Sequence, residues 1–400
     1  MPLNFSIVDR FVAEYRETMH DRTLLRHDRY NVLVELRKTL WAALRDSERF
    51  ETELSHMLDA IDTSRDYGKL RQYHEKSSAG IKDYFEEEQA LVDVHDLFRI
   101  IRDRITVRVL QLVEEEMKQQ GFGPPPSAYC WIGLGSEGRD EQTFFTDQDN
   151  MLVYGEDGEK RYFEDFAGRM VEGLHEVGFE KCKGGIMPSN EKWRGSVTEW
   201  KKRIGETLGQ AKGTLELLDL IIITDARVIH GDQSLFRAVL DEFFALLKEN
   251  RNIMKEIAES SVMMSTALGF FGKFRVETSG DHQGKFNLKL LGWSPLIMSV
   301  RALALEEGLY ETNTIKRIKR LRDMNMIKKE MAEDLIDAYL LFDRHRIMNQ
   351  IEVANKRDSA NFVDPAKLSG EESGKLRKAM RTVESFQKYL HEVMLFGQPF

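Results

Sequence analysis

Apolar residues recur along the first part of the chain at helical spacing. Leu33, Leu36, Leu40 and Leu44 share one stripe, Leu54, Met57, Leu58 and Ile61 a second, and Leu97, Ile101, Ile105 and Leu112 a third. Residues 1–118 are therefore predicted as a helical region, interrupted at Asp62–Gly68. The pattern changes at Gln119-Gln-Gly-Phe-Gly-Pro-Pro-Pro-Ser127, where glycines and prolines end the preceding helix and mark a linker. Tyr129–Leu134 is a short apolar run closing in glycines, a strand entering a tight turn. Asp147–Tyr154 reads as a second strand, followed by a turn at Glu156–Glu159. Arg161–Val177 is predicted as a helix with Phe163, Phe166, Met170 and Leu174 on one face, ended by Gly178. Leu215–Arg227 is predicted to hold a third, buried strand on the strength of Ile221-Ile-Ile. His230-Gly-Asp232 then turns into a helix over Gln233–Lys248.

From residue 256 the chain is helical again. Ser294-Pro295 opens one helix and Gly308 ends it; Thr314 opens the next, with Ile315, Ile318 and Leu321 on one side; Leu335–Ile351 is a third. The expected class is α+β: a small mixed-sheet domain over residues 119–252, flanked by N-terminal helices over 1–118 and a helical C-terminal domain over 253–400.

Composition narrows the function. At 400 residues, 42% hydrophobic and 31% charged, the chain has the make-up of a globular protein. A formal net charge of −9 speaks against a general nucleic-acid binder, which carries a basic face. Cys130 and Cys182 are the only cysteines, so no disulfide framework is expected. The first residues lack a basic segment before a long apolar core, and no apolar run approaches membrane length, so a cytoplasmic protein is the expectation. Among the helical stripes stand His20-Asp21, His27-Asp28 and His95-Asp96, read as solvated surface pairs rather than metal ligands. The basic run Lys316–Arg322 is likewise read as a solvated face.

The chemistry concentrates in Trp131–Asn150. Gly133, Gly135 and Gly138 permit positive φ and close approach to a ligand, and successive amides in such a turn form an anion-binding concavity. Ser136 adds a hydroxyl and Arg139 a guanidinium suited to phosphate oxygens. Asp147 and Asp149, two apart on a strand, would present their carboxylates on one face. Side by side they repel unless a hard cation such as Mg²⁺ neutralises them. A phosphate cradle beside paired carboxylates suits metal-assisted phosphoryl or nucleotidyl transfer.

Gly135-Ser136, a ten-residue gap and Asp147-x-Asp149 together resemble the signature of the DNA polymerase β nucleotidyltransferase superfamily. The fuller string GSEGRDEQTFFTDQDN, ending in Asn150, resembles the nucleotidyltransferase family related to the bacterial PII-protein uridylyltransferase. Lys181–Arg194 is similar to the same family's Cys-x-Gly-Gly-x-Met-x-x-Asn-x-x-Trp-Arg block, and the Asn-Leu-Lys289 and Ser-Val-Arg301 segments to its C-terminal helical substrate-binding domain. The resemblance implies a polymerase-β-like sheet domain. It implies Asp147 and Asp149 as catalytic and metal-binding carboxylates, with two Mg²⁺ ions or Mn²⁺ in their place. Asp225, two residues before Arg227, would be the third carboxylate, with Asp219 as a rival on strand parity. Gly135, Ser136, Gly138, Arg139, Asn150, Asn190, Arg194 and Lys289 would contact the nucleotide, with Trp193 as a wall. For the loop residues the alternative is a connecting loop whose Trp193 caps the core, and for Lys289 a surface lysine.

The expected activity is transfer of a nucleoside monophosphate from UTP or ATP to an acceptor hydroxyl, with a protein in signal transduction as the implied acceptor. The N-terminal helices would regulate or dimerise. A non-catalytic nucleotide sensor using the same cleft is the alternative. An RNA or small-molecule acceptor is disfavoured by the negative charge and the N-terminal extension.

Overall fold

A computed structural model describes residues 11–16, 18, 21, 23, 25–88, 90–155, 160–209, 215–353 and 357–395. The turn expected at Glu156–Glu159 and His20 of the first His-Asp pair lie outside the described residues. Three long helices come first: α1 (Arg26–Thr63), α2 (Tyr67–Glu88) and α3 (Leu91–Gln119). The expected interruption falls between α1 and α2, where the Ser64 hydroxyl meets the Asp66 carbonyl and the Asp66 carboxylate accepts from the Lys69 amide.

The sheet is the middle layer. Its strands run in the order β5 (Arg194–Ser196), β3 (Asn150–Tyr154), β1 (Tyr129–Gly133), β6 (Arg227–Gly231). β1 is antiparallel to both neighbours, pairing Trp131 with Leu152 on β3, while β3 and β5 are parallel, so the sheet is mixed. Side-chain alternation divides it cleanly between two cores. Tyr129, Trp131, Leu152 and Tyr154 point into a core shared with α3 and α4 (Lys160–Glu176). Cys130, Ile132, Met151 and Val153 point into a second core that continues into the C-terminal helices. Helix α5 (Val197–Leu208) starts at a capping box in which Ser196 accepts from the Glu199 amide and Glu199 accepts from Ser196. It packs beside α7 (Gln233–Glu249), whose N-cap is Asp232.

The third strand is corrected. Leu217–Ile223 forms a helix, α6, and the strand comes later, at β6. Asp219 accepts from the Glu216 amide at 2.7 Å and caps the start of α6, and Leu220, Ile221 and Ile223 are buried. Local capping and tertiary burial override the strand preference of three isoleucines. The second strand is also divided. Asp147–Gln148 forms a two-residue strand β2 parallel to β4 (Glu180–Lys181), and β3 begins only at Asn150, leaving Asp149 at the break.

The C-terminal domain comprises α8 (Arg251–Val262), α9 (Ser294–Glu306), α10 (Thr314–Asp323), α11 (Lys329–Val353) and α12 (Gly370–Leu390), with a small antiparallel pair of β7 (Phe286–Asn287) and β8 (Phe362–Val363). Asn313 caps α10, and Ser369 with Glu372 forms the capping box of α12. The first N-terminal stripe departs from expectation. Leu54, Met57 and Leu58 pack on the core and Ile61 is buried in it, but Leu33 is 63% exposed and Leu40 and Leu44 are also open to solvent. Among the described residues, nothing covers this apolar face of the far half of α1.

Candidate active site

Between β1 and β2 the chain makes one helical turn, Gly135–Gly138. Gly135 has φ +53°, and a side chain there would put its Cβ 3.0 Å from the Asp149 carboxylate. Gly138 does not have positive φ. Its need is space: an added Cβ would lie 1.8 Å from the Asp225 carbonyl oxygen. The turn's first i→i−4 bond is donated by the Gly138 amide to Leu134, so the amides of Gly135, Ser136 and Glu137 precede the helical bonding pattern. Ser136 is half-buried, with its hydroxyl 3.5 Å from that of Thr146.

The structure brings Asp147 and Asp149 to this turn. Asp149 lies over Gly135 and hydrogen-bonds to Cys182. Burial, and then the neighbouring Asp147 charge, raise its carboxyl above the ordinary range, while Cys182, Lys289 and Arg139 pull it back only in part. Asp147 is open to solvent and pairs with Arg357 at 3.4 Å. Lys289 acts electrostatically on both members of this region's acidic pair. It opens a π-helical turn, Lys289–Trp293, and its ammonium pKa is lowered by desolvation and by Arg346, against the pull of Asp147 and Asp149. Asp147 and Asp149 are the side chains that could hold a hard divalent cation: an acidic pair, one member buried, with no cation fully offsetting it. Among the described residues no group of three or more His, Cys, Asp or Glu side chains is arranged as a complete ligand set.

Asp225, expected as the third metal ligand, has its carboxylate committed to other side chains. It is fully buried, and both its oxygens are taken by guanidiniums. Arg139 Nη1 donates to Oδ2 at 2.5 Å, Arg317 Nη1 to Oδ1 at 2.9 Å, and Arg301 to both oxygens. Burial alone would raise its pKa, but these three cations hold it at about 2. The rival Asp219 is spent on the α6 cap and on Lys192. Arg139 is corrected for the same reason. Its guanidinium is buried between Asp225 and Glu141 rather than open to a phosphate.

Other expected contacts also prove to be internal. Asn150 is buried in β3 and donates to Glu137 Oε2 at 2.7 Å. Asn190 caps the turn Glu191–Trp193 and donates to the Gly185 carbonyl. Arg194 donates to the carbonyls of Pro188 and Ser189 and pairs with Glu164. Trp193 is in the core against Trp200 rather than a wall of the cleft. Asn190 and Arg194 are thus bonded largely to carbonyls of their own loop, and Cys182 is the side chain of the Lys181–Arg194 block that bonds Asp149.

Several functional contacts escaped the sequence reading. Arg317 lies inside the supposedly solvated basic run, yet it shares the stripe of buried Thr314, Ile318 and Leu321, a signal that spacing did carry. His95, read as a surface residue, is buried against Asp343. Arg346 and Arg357 carried no local signal at all. Three bonds fix the C-terminal domain to the glycine turn: Thr312 to the Gly138 carbonyl, Asn313 to the Arg139 carbonyl, and the Thr314 amide to Glu141.

Comparison with known proteins accords with this geometry. The family model described as "Putative nucleotidyltransferase DUF294" matches residues 75–214, and the one described as "Putative nucleotidyltransferase substrate binding domain" matches residues 251–394. The chain belongs to this nucleotidyltransferase family. No curated protein matches it. The first family match begins within α2, takes in α3 and strands β1, β3 and β5, and ends before β6. No helix among the described residues is long and apolar enough to cross a membrane.

Proposed function

We propose that the protein transfers a nucleoside monophosphate from a nucleoside triphosphate to an acceptor hydroxyl, with Mg²⁺ or Mn²⁺ held by Asp147 and Asp149. The observation that supports this reading is the incompletely neutralised Asp149 carboxylate over Gly135, at the open end of a helical turn and under the charge of Asp147. A divalent cation there would supply charge neutralisation for the phosphates and lower the pKa of the attacking hydroxyl. The amides of Gly135 and Ser136 would face phosphate oxygens, and Lys289 would take up charge on the departing pyrophosphate. The acceptor oxygen bonds to the α-phosphorus as the bond to the β-phosphate breaks. Asp147, the solvent-facing carboxylate, would receive the hydroxyl proton. Asp225 serves as the anchor between domains and takes no part in the chemistry.

We further propose a protein acceptor in a signalling role, as in the PII uridylyltransferase that the motif resembles, with UTP or ATP as donor. The test is label transfer from each α-phosphate-labelled triphosphate to acceptor protein, with and without Mg²⁺. Loss of label transfer and of pyrophosphate release in Asp149→Asn supports the reading, and unchanged release overturns it.

A second reading, a nucleotide sensor without catalysis, gains from one observation. With Asp225 committed to three arginines, the site has two carboxylates rather than three. Nucleotide binding with no metal-dependent pyrophosphate release for any acceptor would establish it.

A further inference from the structure

Helix α3 carries His95 into the junction of three parts of the chain. Its Nδ1 lies 2.8 Å from the carbonyl oxygen of Gln142, on the segment following the glycine turn. Its Nε2 lies 2.6 Å from Oδ2 of Asp343, on α11 of the C-terminal domain. A carbonyl and a carboxylate both accept, so only the imidazolium, with two N–H donors, satisfies both. The other Asp343 oxygen faces Arg346 Nη1 at 3.4 Å. Arg346 is buried over the Trp293 ring, 4.3 Å from its centre, and its Nε has no hydrogen-bond partner among the described residues. Trp293 ends the turn that Lys289 begins, and Arg346 is the charged neighbour that most depresses the Lys289 ammonium. The two cations thus oppose one another, and an anion bound at Lys289 would relieve that opposition.

We propose that His95 is a positioning residue: as an imidazolium bridging Gln142 and Asp343 it fixes Arg346 beside Lys289 at the phosphate end of the cleft, so triphosphate affinity falls when the imidazolium loses its proton. This rests on the transferase reading above. Asp343 and Arg346 face the ring from α11, and Glu141 acts on it from the segment after the glycine turn. Burial pushes the His95 pKa down, but Asp343, Gln142 and Glu141 together carry it above the ordinary histidine value. The bridge is therefore complete at low pH and is lost as pH rises through that raised value. The N-terminal helices would thereby govern how well the cleft holds its nucleotide.

The test is calorimetric titration of each triphosphate with Mg²⁺ into the full chain, across the pH range from slightly acid to alkaline. Wild type, His95→Gln and Asp343→Asn are compared, with thermal unfolding followed in parallel. Wild-type affinity is expected to fall roughly five- to tenfold with rising pH. Both variants should bind more weakly at the acid end and lose that dependence, even where their melting temperatures match. A His95→Gln protein with the wild-type pH slope overturns the proposal, because a purely structural histidine would move only the melting temperature. A wild type whose affinity is level across pH overturns this proposal alone. A wild type that binds no triphosphate at any pH overturns the transferase reading and this one together.

Discussion

Two acidic sites lie on either side of the glycine turn, and they are treated in opposite ways. Asp225 is fully enclosed and saturated: three guanidiniums meet one carboxylate. Asp149 is also enclosed, but the charged neighbour that acts on it most is another carboxylate, and its pKa rises instead of falling. One site spends its charge on holding two domains together. The other keeps its charge only partly offset, at a cost in folding energy. Motif reading alone places all three carboxylates in one role, and the partners of each are what separate them.

Breaking the saturated site has the largest effect. Asp225→Asn leaves Arg139, Arg301 and Arg317 buried together without their anion. A loss of about 3–5 kcal/mol of stability is expected in urea unfolding, as for a broken buried ion pair. A change below about 1 kcal/mol would mean that the cluster is not an anchor.

Breaking the partly offset site should act on function and spare the fold. Asp149→Asn is expected to reduce nucleotidyl transfer about 100-fold or more, equivalent to nearly 3 kcal/mol of transition-state stabilisation. Unfolding of the same variant should show equal or greater stability, because a strained carboxylate has been removed. Substantial destabilisation would place Asp149 with Asp225 instead.

A third carboxylate, Glu137, sharpens the contrast through pH. Burial, with Asp103 adding to it, raises its pKa from 4.5 to about 8, even though Asn150 and Arg227 oppose the shift. Folded protein then holds a proton that unfolded chain releases, so this contribution is complete below 4.5 and is lost as pH climbs through about 8. Asp225 runs the other way: its contribution stands above 3.8 and is lost as pH falls through about 2. Glu137→Gln should flatten the alkaline decline in denaturation profiles while leaving the acid limb in place.

The smallest effect belongs to Arg357. Its pair with Asp147 is 42% exposed on the arginine side, where ion pairs are worth well under 1 kcal/mol. Arg357→Ala is expected to tighten divalent-ion binding roughly two- to fivefold by removing a competing cation. Weaker binding of the metal–nucleotide complex would instead make Arg357 a phosphate contact.

What the sequence disclosed follows from what is local. The three helices of the N-terminal region, the β1 strand, the glycine turn and the α7 helix rest on spacing, caps and breakers within a few residues of one another. The Asp147–Asp149 pair was visible for the same reason. Asp225 misled because its three partners come from Arg139, Arg301 and Arg317, as many as 92 residues away. His95 and Asp343 are separated by 248 residues, so no window could pair them. Ile221-Ile-Ile suggested a strand because β-branched residues favour one, while the Asp219 cap that decides for a helix sits in polar residues just upstream. The Asn190–Arg194 loop looked like a binding loop because polar side chains that bond their own loop carbonyls carry the same residue types as those that bind ligands.

The central claim is that Asp147 and Asp149, without Asp225, form the cation site at which a triphosphate is bound and cleaved. The most direct measurement is calorimetric titration of the four triphosphates with Mg²⁺ into wild type and Asp147→Asn/Asp149→Asn. The account predicts metal-dependent binding of one triphosphate in the wild type and its loss in a folded double variant. Equal affinity in the two proteins, or binding indifferent to Mg²⁺, would contradict it.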